Sequence, residues 1–223
     1  MGLLALVEKF RTPAFPIIEV VKKSILILDT VGDALSAGLF HQDKLKTLRL
    51  KGADASGEAL LFKAVDRLLF GAGLNLTDLH VIVVSSGPGR FTGIRIGMTF
   101  AAVLSSQAQT CALAVSSLEA LAFGTEGTHF CPVLPGYRGE KYYQSFRRKH
   151  SDAAPKAVSQ PAWSSEEDWE RKAAEIKANS FQIIEREPQT ADFLKAALFY
   201  LKKNKIPKFE PLYLKAAGYE KRK

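Results

Sequence analysis

Residues 83–106, VVSSGPGRFTGIRIGMTFAAVLSS, carry the chain's strongest chemical signal: an apolar run ends in glycines and a proline, and a helical pattern begins at once. A loop of this kind can hold a phosphate, because the free N–H groups and dipole of the following helix favour an anion. A P-loop also needs a lysine directly after its last glycine, to reach the outer phosphates. Here Gly93 is followed by Ile94 and Arg95. A dinucleotide fingerprint needs G-x-G-x-x-G after the first strand, whereas Gly87-Pro88-Gly89-Arg90-Phe91-Thr92 follows a later one. What remains is a generic anion or nucleotide contact from Gly87, Gly89, Arg90 and Arg95, at a helix that Thr92 is expected to cap.

Within that helix Gly93, Gly97, Ala101 and Ser105 recur every four residues, a ridge of small side chains along one side. Each glycine costs a helix up to about 1 kcal/mol, so close packing must compensate. The ridge therefore packs either on the chain's own sheet or against a helix of another subunit. Other chemistry is sparse. His41, His80, His129 and His150 form no H-x-x-x-H or H-E-x-x-H pair, which leaves a helical metal site unsupported. There is no G-x-S-x-G elbow. Cys111 sits in an apolar strand pattern and reads as a core residue.

The elements that would position these residues follow from periodicity. KKSILILDT (22–30) is a buried-strand pattern, and ALSAGLF and KLKTLRL suit a hairpin turning at His41-Gln42-Asp43. SGEALLFKAVDRLLFGAG places Leu60, Leu61, Ala64, Val65, Leu68 and Leu69 on one helical stripe, with Ser56 as N-cap and Gly71 as C′. LHVIVVSS and TCALAVSS are further strands, each followed by a helix. Three strands and then alternating helices and strands predict an α/β layer fold with a mixed sheet. After Phe130, FCPVLPGYRGEKYYQSFRR predicts two strands about a glycine turn, and TADFLKAALFYLKKN an amphipathic helix closed by Pro207. These patterns divide the chain into an N-terminal extension (1–21), a first lobe (22–128) and a smaller second lobe (129–223). The extension, broken by Pro13 and Pro16, reads as a wrap-around arm or a mis-assigned start.

Composition narrows the class. At 223 residues, 47% hydrophobic and 24% charged, the chain resembles an ordinary folded protein rather than a disordered one. No apolar run approaches the roughly 20 residues of a membrane span, and the first residues lack a secretory pattern. Two cysteines make no disulfide framework. A cytoplasmic location is the expectation. The net charge of +8 is concentrated late: residues 201–223 hold 8 basic and 2 acidic side chains. Such a tail attracts polyanions such as RNA, or simply solubilises the end.

SILILDT, SSGPGRFTGIRIG and AVSSLEALA stand in the order and spacing of the TsaB (YeaZ-like) family, which the chain resembles from about Ser24 to Phe146, with an echo at PLYLK (211–215). The resemblance implies an actin/Hsp70/sugar-kinase (ribonuclease H-like) fold with a degenerate second lobe. It also implies a non-catalytic subunit that binds and activates TsaD in forming threonylcarbamoyladenosine in tRNA. A TsaE-like ATPase is then a further partner, tRNA the substrate of the complex, and a homodimer the state of the chain alone. ATP and metal are expected on partner subunits and no cofactor on this one, since after Gly139 the only glycine is Gly218. The contact surface implied is the two first-lobe helices, carrying Leu61, Val65, Leu68, Thr92, Gly93, Gly97, Ala101 and Ser105. Arg90 stands where a serine is usual, and Val31-Gly32 where a small hydroxyl residue is usual, which puts residual ligand binding in question. The rival readings are a stand-alone nucleotide-dependent enzyme, a metallopeptidase-like relative and a direct tRNA-binding protein.

Overall fold

The computed structural model describes residues 23–51 and 57–215. β1 (Ile25–Asp29), β2 (Leu35–His41), β3 (Lys44–Leu50), β4 (Val81–Ser85) and β5 (Cys111–Val115) form one sheet in the order β3-β2-β1-β4-β5. β1, β2 and β3 pair antiparallel, while β4 runs parallel to both β1 and β5. The β2–β3 hairpin turns through Gln42 (φ 48°) and Asp43 (φ 59°), with His41 opposite Lys44. Two successive left-handed residues give the turn a twist that matches the strands.

β1 and β4 are continuous apolar runs because both sheet faces are covered. Leu26, Leu28, Ile82 and Val84 face α1 (Gly57–Phe70) and α2 (Phe91–Gln107), whereas Ile25, Ile27, Val81 and Val83 face the opposite layer. That layer is α3 (Ser117–Phe123) with α5 (Thr190–Lys203), whose Phe193, Ala196 and Ala197 are fully buried against it. Each fully buried Leu, Ile or Phe contributes about 1.5–3 kcal/mol, so these layers dominate the fold's stability.

The second sheet is made of short strands. β6 (His129–Pro135) pairs with β7 (Lys141–Tyr143) and β8 (Phe146–Arg147), and in parallel with β11 (Gln182–Glu185). β9 (Lys156–Ala157) extends β8, and β10 (Ala162–Ser164) extends β7. α4 (Glu166–Ala178) covers this sheet through Ile176 and Trp169, and Ser165 caps it by accepting the Asp168 N–H at 3.2 Å. The strand pair about a glycine turn is present as β6–β7. β8 to β11 are too short for the periodicity reading to have separated them.

Several sequence expectations need correction. The packing does not divide at residue 128: α5 lies in the second segment of the sequence but returns to cover the first sheet. It ends at Asn204, which takes a left-handed conformation (φ 50°), three residues before Pro207. Helix α2 starts at Phe91, so Arg90 rather than Thr92 is its N-cap. Gly71 follows α1, but Gly73 (φ 67°) supplies the left-handed turn. The Ser56 cap and the extension at 1–21 lie outside the described residues.

Candidate partner interface and interlobe cleft

The small-residue ridge faces inward. A Cβ on Gly93 would overlap the backbone carbonyl of Thr30, and one on Gly97 would overlap the Thr30 side chain. Thr30 Oγ1–H also donates to the Gly93 carbonyl at 2.8 Å. Ala101 is fully buried, and Ser105 is 1% exposed, its hydroxyl donating to the Ala102 carbonyl. On α1, Leu61, Val65 and Leu68 are buried in the same core. Of the residues expected at a partner surface, only Thr92 is exposed and Gly93 partly so. The rest form this chain's own interior, because β1 and its turn occupy the space that the ridge leaves.

The outward side of the same helices differs. Phe62 is 62% exposed, Phe70 88% and Val103 49%. Phe62 meets the buried Phe100 edge to face at 4.9 Å between centroids, an apolar contact between the two helices. These phenylalanines lie off the buried stripe of α1, and that misplacement was the available sequence signal.

The glycine loop is occupied by polypeptide. Gly87 (φ 103°) has Ile94 on one side and the Leu212 carbonyl on the other, each 2.8 Å from where a methyl group on Gly87 would sit, and Gly89 is closed off by Val31. Hydrogen bonds complete the packing: Ser117 N–H donates to the Gly87 carbonyl, Arg90 N–H to the Val31 carbonyl and Leu212 N–H to the Ser86 carbonyl. Arg90 is ion-paired with Asp33 at 2.5 Å, and the Arg95 guanidinium lies 5.3 Å from the Phe91 ring. The anion cradle expected from Gly87, Gly89, Arg90 and Arg95 is therefore largely filled by chain.

The segment after α5 acts as a strap. Phe209 packs on the α1–α2 core, Tyr213 meets Phe91 in a tilted ring contact at 4.8 Å, and Lys215 pairs with Glu140 just before β7 of the second sheet. The basic tail beyond residue 215 lies outside the described residues.

Beside the loop, a cleft of about 250 Å³ opens between the two sheets. Asp29, Gly32, Gly89, Ser117, Tyr137, Arg138 and Glu187 line it, with Glu187 on the Asp29–Gly32 side. Burial pushes the Asp29 carboxyl up to about 6, against weaker lowering by hydrogen bonds from Ser85 and the Val31 N–H; Glu187 adds to the rise and Arg49 opposes it. Arg49 is itself paired with Glu187. The Ser117 Oγ is buried with no hydrogen-bond partner. Among the described residues, no group of three His, Cys, Asp or Glu could hold a metal ion. His41 and His80 instead fasten the start of β1 through Ser24. Cys111 is buried, and desolvation raises its thiol to about 11. No helix among the described residues is long and apolar enough to cross a membrane.

Comparison with known proteins places this geometry. A family model described as "TsaD: tRNA N6-adenosine threonylcarbamoyltransferase" matches residues 54–205. The chain is 33% identical over 131 residues to the tRNA threonylcarbamoyladenosine biosynthesis protein TsaB of Bacillus subtilis, covering 57% of this chain and 56% of that protein. It is 28% identical over 128 residues to the TsaB of Escherichia coli, covering 56% and 55%. It thus spans about half the length of the curated relatives it matches. The solved structure of YeaZ from Pseudomonas aeruginosa superposes with a TM-score of 0.69 at 21% identity, over 86% of this chain and all of that one. That likeness establishes the fold.

Proposed function

The chain belongs to the TsaB (YeaZ-like) family, within the wider TsaD-type group whose family model matches it, and from that premise we propose that it is a non-catalytic subunit in the formation of threonylcarbamoyladenosine in tRNA. It acts by binding and activating a TsaD-like subunit. A TsaE-like ATPase completes the assembly, tRNA is the substrate of the complex, and ATP and metal reside on the partners.

The observation that carries this reading is the outward face of α1 and α2. Phe62, Phe70 and Val103 are large apolar groups left in solvent on two helices whose other sides are fully packed. Large exposed apolar side chains on two adjacent helices suit an association surface. The cleft supports a non-catalytic role in a second way. At about 250 Å³ it is below the roughly 300–1,000 Å³ of pockets that enclose drug-sized ligands.

Light scattering after size-exclusion chromatography, on the chain alone and mixed with the TsaD-like protein from the same source, tests the proposal. The expected result is a self-dimer that exchanges into a mixed complex, with Val103→Asp blocking both. A monomer that ignores the partner, or ATP hydrolysis by the chain alone, would overturn it.

A further inference from the structure

The interlobe cleft has its own chemistry, separate from the helix face. Its ionised groups fall into two kinds. Arg90 is paired with Asp33, and Arg49 with Glu187, so these four largely neutralise one another at the rim. Asp29 and Arg138 line the same cavity, and neither makes an ion pair among the described residues.

Asp29 is 6% exposed. It accepts from the Val31 N–H at 3.3 Å and from Ser85, and a carboxylate has about four acceptor sites, so capacity remains. Glu187 is close enough to bias its ionisation, but its charge is engaged by Arg49, so Asp29 itself is the acidic pole of the cleft. Arg138 lies across from it on the second lobe. Its backbone is left-handed (φ 53°, ψ 55°), a costly conformation for a side chain with a Cβ, and the guanidinium sits 5.1 Å from the Tyr137 ring. Ser117 lines the same cleft, and its buried Oγ has no hydrogen-bond partner. A buried hydroxyl left unpaired carries a desolvation penalty that a bound polar group would offset.

Size and charge together select the ligand. An acidic pole, a basic pole and an unsatisfied hydroxyl within about 250 Å³ match a small molecule bearing an ammonium and a carboxylate. No three potential metal ligands converge among the described residues, so the acidic pole suits an ammonium better than a divalent cation. We infer that the cleft binds a free α-amino acid, its ammonium held by Asp29 beside Glu187, its carboxylate by Arg138, and a polar atom by the Ser117 hydroxyl. The inference does not depend on the assembly reading, since every group named lies in the cleft.

Gly32 offers a clean way to block the site. A Cβ there meets only Glu187 Oε1, at 3.9 Å, and the backbone is not left-handed. Gly32→Leu therefore fills the cavity without colliding with the core. The experiment is calorimetric titration of the full chain with each standard α-amino acid, with inorganic phosphate and AMP as controls, and circular dichroism of every variant. At least one amino acid is expected to bind saturably. Its N-acetyl and carboxamide derivatives should bind at least about 10-fold more weakly, as should Asp29→Asn and Arg138→Gln, because each removes a charge-assisted hydrogen bond. Gly32→Leu should abolish binding. Ser117→Ala should weaken binding yet raise the melting temperature of the free chain, a pairing that a purely structural serine would not give. Failure of every amino acid to bind would overturn the inference. So would N-acetyl derivatives that bind equally well, full affinity in folded Gly32→Leu, or phosphate or AMP taking the site in preference. Partner association, read by light scattering, is expected to be unchanged in Gly32→Leu, so loss of the cleft and loss of the interface are distinguishable.

Discussion

Helix α2 shows two unlike surfaces only a helix diameter apart. Inward, Gly93 and Gly97 bring it so near β1 that neither position has room for a methyl group. Outward, Val103 is half exposed, and the neighbouring α1 leaves Phe62 and Phe70 in solvent. In the sequence only the inward surface, with its small residues, reads as a contact surface; the outward one is large and apolar. The difference teaches that a small-residue ridge reports close approach without saying to what. Here the occupant is the chain's own first strand and its turn. Large apolar groups off the buried stripe are the better indicator of an external partner, because nothing among the described residues covers them.

Substitution on the inward side should give the largest effect. Gly97→Leu forces a branched side chain into Thr30 and should destabilise the fold by about 3 kcal/mol or more, read as a shift in urea midpoint. If the variant instead folds normally and only partner binding falls, the ridge is an interface after all and the comparison breaks.

The buried charge beneath that side predicts a pH dependence. Asp29 is raised from 3.8 to about 6 by burial, so the folded chain holds this proton more tightly than the unfolded chain. The group's contribution is then greatest below pH 4 and falls by up to about 3 kcal/mol as pH rises through 6. Asp29→Asn should flatten melting temperature against pH across that window, leaving the acid side little changed. An unaltered pH profile would show that this carboxyl is not the titrating group.

Outward, Val103→Asp should leave the urea midpoint within experimental scatter. It should weaken self-association and TsaD-like partner binding by at least about 10-fold, since a charge placed in an apolar contact goes unpaired. Equal affinity for wild type and variant would remove the helix face from the interface. The smallest effect expected is at the strap. Tyr213→Ala removes the ring contact with Phe91 and should cost about 1 kcal/mol, and the same loss in a Phe91→Ala background would show that the rings are not coupled.

Much of the first lobe was legible because its signals are local. Alternation and apolar runs gave the five strands, and the Leu61–Val65–Leu68 stripe gave α1 a buried face. The same stripe was also read as a partner surface, which is where local reasoning failed: periodicity says that a face is covered, not by which molecule. The second sheet was poorly legible since β8 and β9 have two residues each and β10 three, too few for a period to register. Of the cleft, Gly89 and Arg90 were singled out from the loop, but Ser117, Arg138 and Glu187 were not, as no spacing ties them together.

By itself the sequence determined the α/β class, the family and the absence of a P-loop or a dinucleotide fingerprint, because these depend on residues close together in the chain. Only the tertiary structure decided that α5 returns to the first sheet and that Thr30 fills the glycine ridge. It also decided that Leu212 fills the loop whose glycines suggest a phosphate cradle. Each of those outcomes is a competition among distant segments for the same space, and close packing admits a single occupant.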